Sequence, residues 1–240
     1  ISAAICSYPT VDAAVQTTIL TIQSGVPIAR IELVDEVQMQ ALNKFSDLGL
    51  AEQPTLFFEF HGTAAGVAEQ IETVRAISDD FGGRDFDWAS RPEDRNKHWQ
   101  ARPDAHYANM QLRPGAKAWP TDVCVPISRL ADCIAETRKD IDESGLLAPI
   151  VGHVGDGNFH VDMVLDPDNA DEVSRAVELN ERLVARALEM EGTCTGEHGV
   201  GYGKIDKLAA EHGDALDVMR GLKQTIDPLN LMNPGKVVPL

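Results

Sequence analysis

From Thr121 onward the hydrophobic pattern changes period in an order that leaves few folds open. Thr121 to Val125 reads as a strand. Ser128 opens a helix with Leu130, Ile134, Thr137 and Ile141 on one face, and Gly145 stops it. Pro149 to Val154 and Phe159 to Leu165 read as two further strands. Asn169, with Glu172 three residues on, is a capping-box-like start for another helix. That helix keeps Val173, Ala176, Val177, Leu183, Val184 and Ala187 on one side and ends at Gly192, after which Thr193 to Thr195 is extended.

Strand–helix–strand–strand–helix followed by an extended segment is the order of a split βαβ, ferredoxin-like unit. The first ninety residues alternate in a related way. Ala3 to Tyr8 is a short apolar strand, and Asp12 caps a helix that ends before Gly25. Ile28 to Val34 is a strand, Val37 to Leu48 a helix, and Thr55 to Phe60 an alternating strand. A helix with Val67, Ile71, Val74 and Phe81 on one face closes at Gly82-Gly83, ahead of a weaker strand at Phe86 to Trp88. Arg91 to Leu112 reads as polar and helical, ending at Pro114-Gly115. The expected fold class is α+β, with ferredoxin-like βαβ units forming a mostly antiparallel sheet and helices on one face. The other face is then free to line a site.

Charge narrows the partners. Thirty-eight acidic against twenty-one basic residues leave a formal −17. A surface so negative repels phosphate backbones and anionic lipid, which argues against nucleic acid. No apolar run approaches the ~18–20 residues that span a bilayer. Four cysteines, at 6, 124, 133 and 194, form no CxxC and read as reduced thiols of an intracellular compartment, bacterial cytoplasm in the first instance. The chain opens Ile1-Ser2-Ala3 in strand-like material, so it is expected to be part of something longer.

Two stretches carry chemistry. In Gly152-His153-Val154-Gly155-Asp156-Gly157-Asn158-Phe159-His160, Asp156-Gly157 is a two-residue hairpin signal. A turn centred there pairs 153 with 160 and sets both imidazoles on one face, roughly 5 Å apart at Cβ. Two such rings can converge on one ion, or they can be a solvated pair beside a tight turn. The second stretch, Gly192 to Lys204, has five glycines in its first twelve positions around Glu197-His198. Glu197 offers a third, oxygen ligand, and His198 a base whose unperturbed pKa lies near neutrality. Trp99 and Arg102 share a face if their segment is helical, and Arg102 can fork onto a carboxylate or form a surface salt bridge. Lys117 carries the same ambiguity. His61, His98, His106 and His212 show no partner pattern and read as structural or exposed, and Asp156 and Asn158 read as turn formers.

These two stretches, together with Thr121-Asp122-Val123-Cys124-Val125-Pro126 and the ending Met232-Asn233-Pro234-Gly235-Lys236-Val237, resemble the C-terminal half of FAD-linked oxidases. The nearest likeness within that family is to the flavin-dependent D-lactate dehydrogenases, with glycolate oxidase and D-2-hydroxyglutarate dehydrogenase as relatives. The resemblance implies a substrate-binding cap over residues 1–205 and a helical segment and tail over 206–240 that returns to an FAD-binding domain outside this sequence. It implies a divalent metal, zinc or manganese, on His153, His160 and Glu197, with His198 as base. Arg102 and Lys117 would contact the substrate carboxylate, and Asn233 would lie near the FAD. The implied reaction oxidises a D-2-hydroxy acid, D-lactate first, and passes electrons to a quinone or cytochrome. The isolated piece would not turn over, and a homodimer is among the expected assemblies. In a eukaryote the implied location is the mitochondrion. The chain departs from the family at Pro103, where close relatives have histidine. A metal-dependent hydrolase and a non-catalytic partner-binding half are the rival readings.

Overall fold

The structure, a computed structural model, describes residues 1–46, 49–99 and 104–238. The first unit runs β1 (Ser2–Ser7), α1 (Val11–Gln23), β2 (Ile28–Val34), α2 (Glu36–Ser46), β3 (Thr55–Phe60), α3 (Ala64–Asp80) and β4 (Arg84–Ala89). Its strands lie side by side in the order β4-β1-β3-β2, all antiparallel. Local chemistry sets the helix starts. The Thr10 hydroxyl accepts from the Ala13 N–H at 3.1 Å, so Thr10, not Asp12, caps α1, and Asp12 sits in the first turn. Thr63 does the same for α3.

The second unit repeats the plan. After α4 (Pro92–Trp99) and α5 (Ala105–Asn109) come β5 (Lys117–Pro120), β6 (Val123–Cys124), α6 (Leu130–Ser144), β7 (Ile150–Gly152), β8 (Asn158–Leu165) and α7 (Ala170–Glu189). Cys124 bridges Thr193, β6 pairs β8, and β8 pairs β7. The lateral order is again fourth-first-third-second. The two units join where β2 meets β7, giving one eight-stranded antiparallel sheet among the described residues. Asn169 caps α7 as its motif predicts, and Gly145 ends α6 in the left-handed conformation. Ser128 does not cap α6: it lies in a 3-10 turn, Ile127–Arg129, that leads into the helix.

The two faces of the sheet carry different layers. Leu33, Leu56, Phe58, Phe60, Ile150, Phe159 and Val161 pack with α1, α3, α6 and α7 into the main core. Their strand neighbours Val34, Phe57 and Val151 point the other way, as a period of two demands, and meet Met39 and Leu42 of α2 and Ala105 and Ala108 of α5. α2 and α5 cover only part of this second face, and the site opens beside them. The chain ends in α8 (Ile205–His212), α9 (Ala215–Ile226) and a tail. Among the described residues no helix is long and apolar enough to cross a membrane.

Candidate metal and substrate site

A break in one strand builds the site. β5 and β6 run along the same neighbour, β8, but Thr121 and Asp122 interrupt them. The Thr121 hydroxyl takes the Val161 N–H at 2.9 Å, and the Asp122 side chain is freed to act elsewhere. A single continuous strand from Thr121 to Val125 would keep both residues in the ladder. The structure instead keeps Thr121 against Val161 and His160 of β8 and turns the Asp122 side chain to the glycine-rich loop.

The connection between β7 and β8 is longer than a two-residue turn. Val151, not His153, pairs with His160, and a 3-10 turn, Val154–Asp156, followed by Gly157 at φ +81° closes the bend. A Cβ on Gly157 would lie 2.1 Å from the Val125 carbonyl oxygen, so this position demands glycine. The register is two residues off the sequence expectation. A shift of two preserves side-chain parity, so both imidazoles still reach the same side. Their ring centroids are 6.1 Å apart and their planes perpendicular.

Glu197 sits between them. Its carboxylate oxygens lie 3.0 Å from His160 Nε2 and 3.4 Å from His153 Nε2. One ligand atom from each of the three residues falls within 4.8 Å of the others. The far side of each ring is tied down. His160 Nδ1 faces the Thr121 carbonyl at 2.9 Å. A carbonyl can only accept, so Nδ1 carries the proton and Nε2 keeps its lone pair toward Glu197. His153 Nδ1 donates to the buried Glu32 carboxylate at 2.6 Å. Burial lowers the His160 pKa, and neighbouring His198 adds to this, against the hydrogen bond to Thr121. The ring is thus kept in the neutral form a cation needs.

Asp122 holds the loop that delivers Glu197. Its buried carboxylate accepts from the His198 N–H at 2.9 Å, the Glu197 N–H at 3.1 Å, the Thr195 hydroxyl at 2.8 Å and Asn158 Nδ2 at 2.8 Å. Burial pushes this carboxyl up, but those donors, with the Lys204 ammonium, outweigh it and hold the group well below the usual carboxylate range. Asn158 is therefore a strut as well as a turn residue. A Cβ on Gly196 would lie 2.0 Å from its amide nitrogen. The His198 ring stacks on His160 at 4.8 Å, the planes nearly parallel, with Nε2 3.5 Å from Glu197.

A cavity of about 250 Å³ opens beside these groups, lined by Ala105, His106, Pro120, Val151, His153, His160, Asp162, Glu197 and His198. The structure brings together His153, His160, Glu197 and His198. It does not bring Lys117 to them: Lys117 begins β5 opposite Leu165, exposed and outside the cavity lining. Asn233 lies in the exposed tail, at φ +48°. Arg102 and Pro103 lie outside the described residues. Sequence reasoning missed Glu32, Asp162 and the clamping role of Asp122. Glu32 stands inside the strand read at Ile28 to Val34 and Asp122 inside the Thr121 to Pro126 stretch, but His153 and His198, which they hold, are 121 and 76 positions away in the chain. His106, which reads as structural from sequence, lines the cavity.

Comparison with known proteins places the geometry. The model of the family "FAD linked oxidases, C-terminal domain" matches residues 1–237. A "Probable D-lactate dehydrogenase, mitochondrial" of Danio rerio is 54% identical over 238 residues, which is 99% of this chain and 48% of the relative. A "D-lactate dehydrogenase [cytochrome], mitochondrial" of Arabidopsis thaliana is 45% identical over 98% of the chain and 42% of the relative. The "Glycolate oxidase subunit GlcD" of Bacillus subtilis is 29% identical over 96% of the chain and 49% of the relative. The chain thus spans about half the length of the curated relatives it matches. Among solved structures, 4-ethylphenol oxidase from Gulosibacter chungangensis superposes with a TM-score of 0.74 at 14% identity, over all of this chain and 54% of that one. That likeness speaks for the fold.

Proposed function

Because the chain belongs to the FAD-linked oxidase C-terminal domain family, we propose that it is the substrate-binding part of a flavin enzyme that oxidises a D-2-hydroxy acid, D-lactate foremost, to the 2-oxo acid. The observation that carries this reading is the convergence of two back-bonded imidazoles on the Glu197 carboxylate. That donor set, two imidazole nitrogens and one carboxylate oxygen, suits a divalent metal such as zinc or manganese, held by His153 Nε2, His160 Nε2 and Glu197. When bound, the ion would supply Lewis-acid polarisation of the substrate hydroxyl, and FAD would supply the two-electron acceptor.

This chain's residues handle the proton and the orientation. His198, stacked on His160 at the cavity wall, is the base for the hydroxyl proton as hydride leaves the α-carbon. The Asp122 clamp on the His198 and Glu197 N–H groups fixes the base relative to the carboxylate. Glu32 and the Thr121 carbonyl keep the two ligand rings in one orientation. By family resemblance, Arg102 is assigned to the substrate carboxylate and Asn233 to the flavin; the same resemblance assigns Lys117 to the carboxylate, although in this chain it stands at the start of β5, outside the cavity lining. Residues 1–205 form the substrate cap, and 206–240 lead back to the flavin-carrying part. The relatives' names favour a cytochrome as electron acceptor and a mitochondrial location in a eukaryote. A quinone acceptor and a bacterial cytoplasmic location are the alternatives.

The test uses the full-length protein with its flavin half. D-Lactate added anaerobically is expected to bleach the flavin, and a chelator to slow the bleaching. His153→Ala is expected to lose most of its bound metal. Bleaching indifferent to chelator, with equal metal content in variant and wild type, sinks the metal assignment. No reduction by any 2-hydroxy acid sinks the reaction.

A further inference from the structure

The loop that carries Glu197 and His198 is a poor platform by itself. Residues 196–203 are exposed except for Val200, and four of them are glycines, which raises the entropy lost when the loop is held still. Asp122 grips it at the two N–H groups of Glu197 and His198. A second grip comes from α8. Lys204 immediately precedes that helix and Glu211 lies in its last turn, seven positions on, so two helical turns set both on one side. Glu211 Oε2 accepts from the Cys194 N–H at 2.9 Å and from the Thr193 hydroxyl at 3.1 Å. Thr193 in turn donates its N–H to the Cys124 carbonyl at 2.8 Å, so the entry to the loop is held between β6 and α8. At the exit the Lys204 ammonium donates to the Asp122 carbonyl at 2.9 Å and lies 3.5 Å from the Asp122 carboxylate. The Glu211 and Lys204 side chains are only 14% and 18% exposed, where charged hydrogen bonds are of the stronger kind. Burial pushes the Glu211 carboxyl up, but the bonds from Cys194 and Thr193 outweigh it and hold the group below its ordinary value.

We propose that Glu211, braced with Lys204, is a positioning residue for the metal site: from α8 it fixes the entry to the loop, and so the place of Glu197 and His198, through Thr193 and Cys194. This rests on the metal assignment above and carries it across the boundary at residue 205. The ligands lie in the cap, and the precision of one of them is set by the segment assigned to the flavin-carrying part. The ligands divide accordingly. His153 and His160 come from the β7–β8 connection and are tied there by Glu32 and the Thr121 carbonyl. Glu197 alone depends on the loop. Loosening α8 therefore misplaces one ligand of three and leaves the imidazole pair standing. Outer contacts that orient a metal ligand are worth about 10–100-fold in affinity.

The experiment uses the full-length flavoprotein. Zinc affinity is read by chelator competition, and hydrogen exchange is read at the Glu197 and His198 amides with metal removed. Glu211→Leu is expected to lower zinc affinity about 10-fold or more and to speed exchange at both amides by a similar factor. Lys204→Met is expected to act in the same direction. Glu211→Gln keeps an oxygen acceptor and is expected to recover most of both readouts. Thr193→Val, a milder change that removes one donor to Glu211 and leaves α8 untouched, is expected to move both the same way by less. Phe57→Ala is the control for stability alone and is expected to move neither. Unchanged affinity and exchange in the folded Glu211 and Thr193 variants, or equal changes in Phe57→Ala, overturns the brace and leaves the metal assignment standing. A wild type that binds no divalent ion sinks the metal assignment and the brace with it.

Discussion

β3 and β8 hold the same place in their units, each third in sequence and flanked by the first and second strands. Toward the main core they are alike. β3 presents Leu56, Phe58 and Phe60, and β8 presents Phe159, Val161 and Met163. On the opposite face they part. β3 turns Phe57 into an apolar cluster under α2 and α5, whereas β8 turns Asn158, His160 and Asp162 there, all buried. Phe57 needs only neighbours of the right shape. Each polar residue of β8 needs a specific partner, and each has one outside the strand ladder: Thr121 and Asp122 at the strand break, and His106 on the short α5. One topology thus carries an apolar scaffold in one half and the polar candidate site in the other, and the difference lies in what packs against one face of one strand.

That contrast can be broken most forcefully at Phe57. Phe57→Ala opens a cavity in the second cluster and is expected to cost about 3–5 kcal/mol. In a chain of this size that lowers the melting temperature by roughly 6–20 °C. Metal bound to the folded variant should stay at the wild-type level, as read by elemental analysis below the transition. Metal lost together with stability would show that the scaffold and reactive faces are one cooperative unit.

A smaller effect sharpens the contrast from the other side. Glu32 is the first unit's contribution to the proposed metal site: it stands on β2 and holds His153 across the joint between the units. Glu32→Gln keeps the shape and removes the charge that makes the imidazole a stronger donor. Metal affinity, measured by chelator competition, is expected to fall 10–100-fold with little change in unfolding free energy. Unchanged affinity would confine metal binding to the second unit.

The scaffold half was the more legible in sequence, and the reason is physical. Hydrophobic period is a local signal, so Ile28–Val34 and Thr55–Phe60 fall where the pattern places them. The capping-box start at Asn169 and the glycine stop at Gly145 are equally local. The site is legible only through its motifs. His153, His160 and Glu197 converge although the turn between β7 and β8 has a different length from the one expected, because parity survives a two-residue shift. What fails is whatever depends on a strand breaking. Val123 and Cys124 alternate as a strand should, and nothing local says that Thr121 and Asp122 leave the ladder to serve His160 and the glycine-rich loop. The Asp162–His106 pair, 56 residues apart, has no local trace either.

A last effect, read as a slope in pH, tests the seam between the units. Asp35 is fully buried where they meet. It caps α2 of the first unit through the Gln38 N–H at 2.7 Å, and it accepts the Ile150 N–H of the second at 2.7 Å. Burial pushes its carboxyl up to about 7, against those hydrogen bonds and Arg138. In the unfolded chain the same group titrates near ~3.9. Between those values the folded protein binds the proton and the unfolded chain does not. The Asp35 contribution is therefore fully present below about pH 4 and is lost as pH rises through about 7, with a slope of at most ~1.4 kcal/mol per pH unit. Asp35→Asn removes this titration. Denaturant unfolding of both proteins at intervals from pH 4 to 8 should show the wild type losing stability relative to the variant as pH rises. A constant difference would mean that the carboxylate is already ionised in the folded seam, compensated by the two N–H groups and Arg138. The joint between β2 and β7 would then be held by a charge, as the site is held by Asp122, and not by a protonated acid.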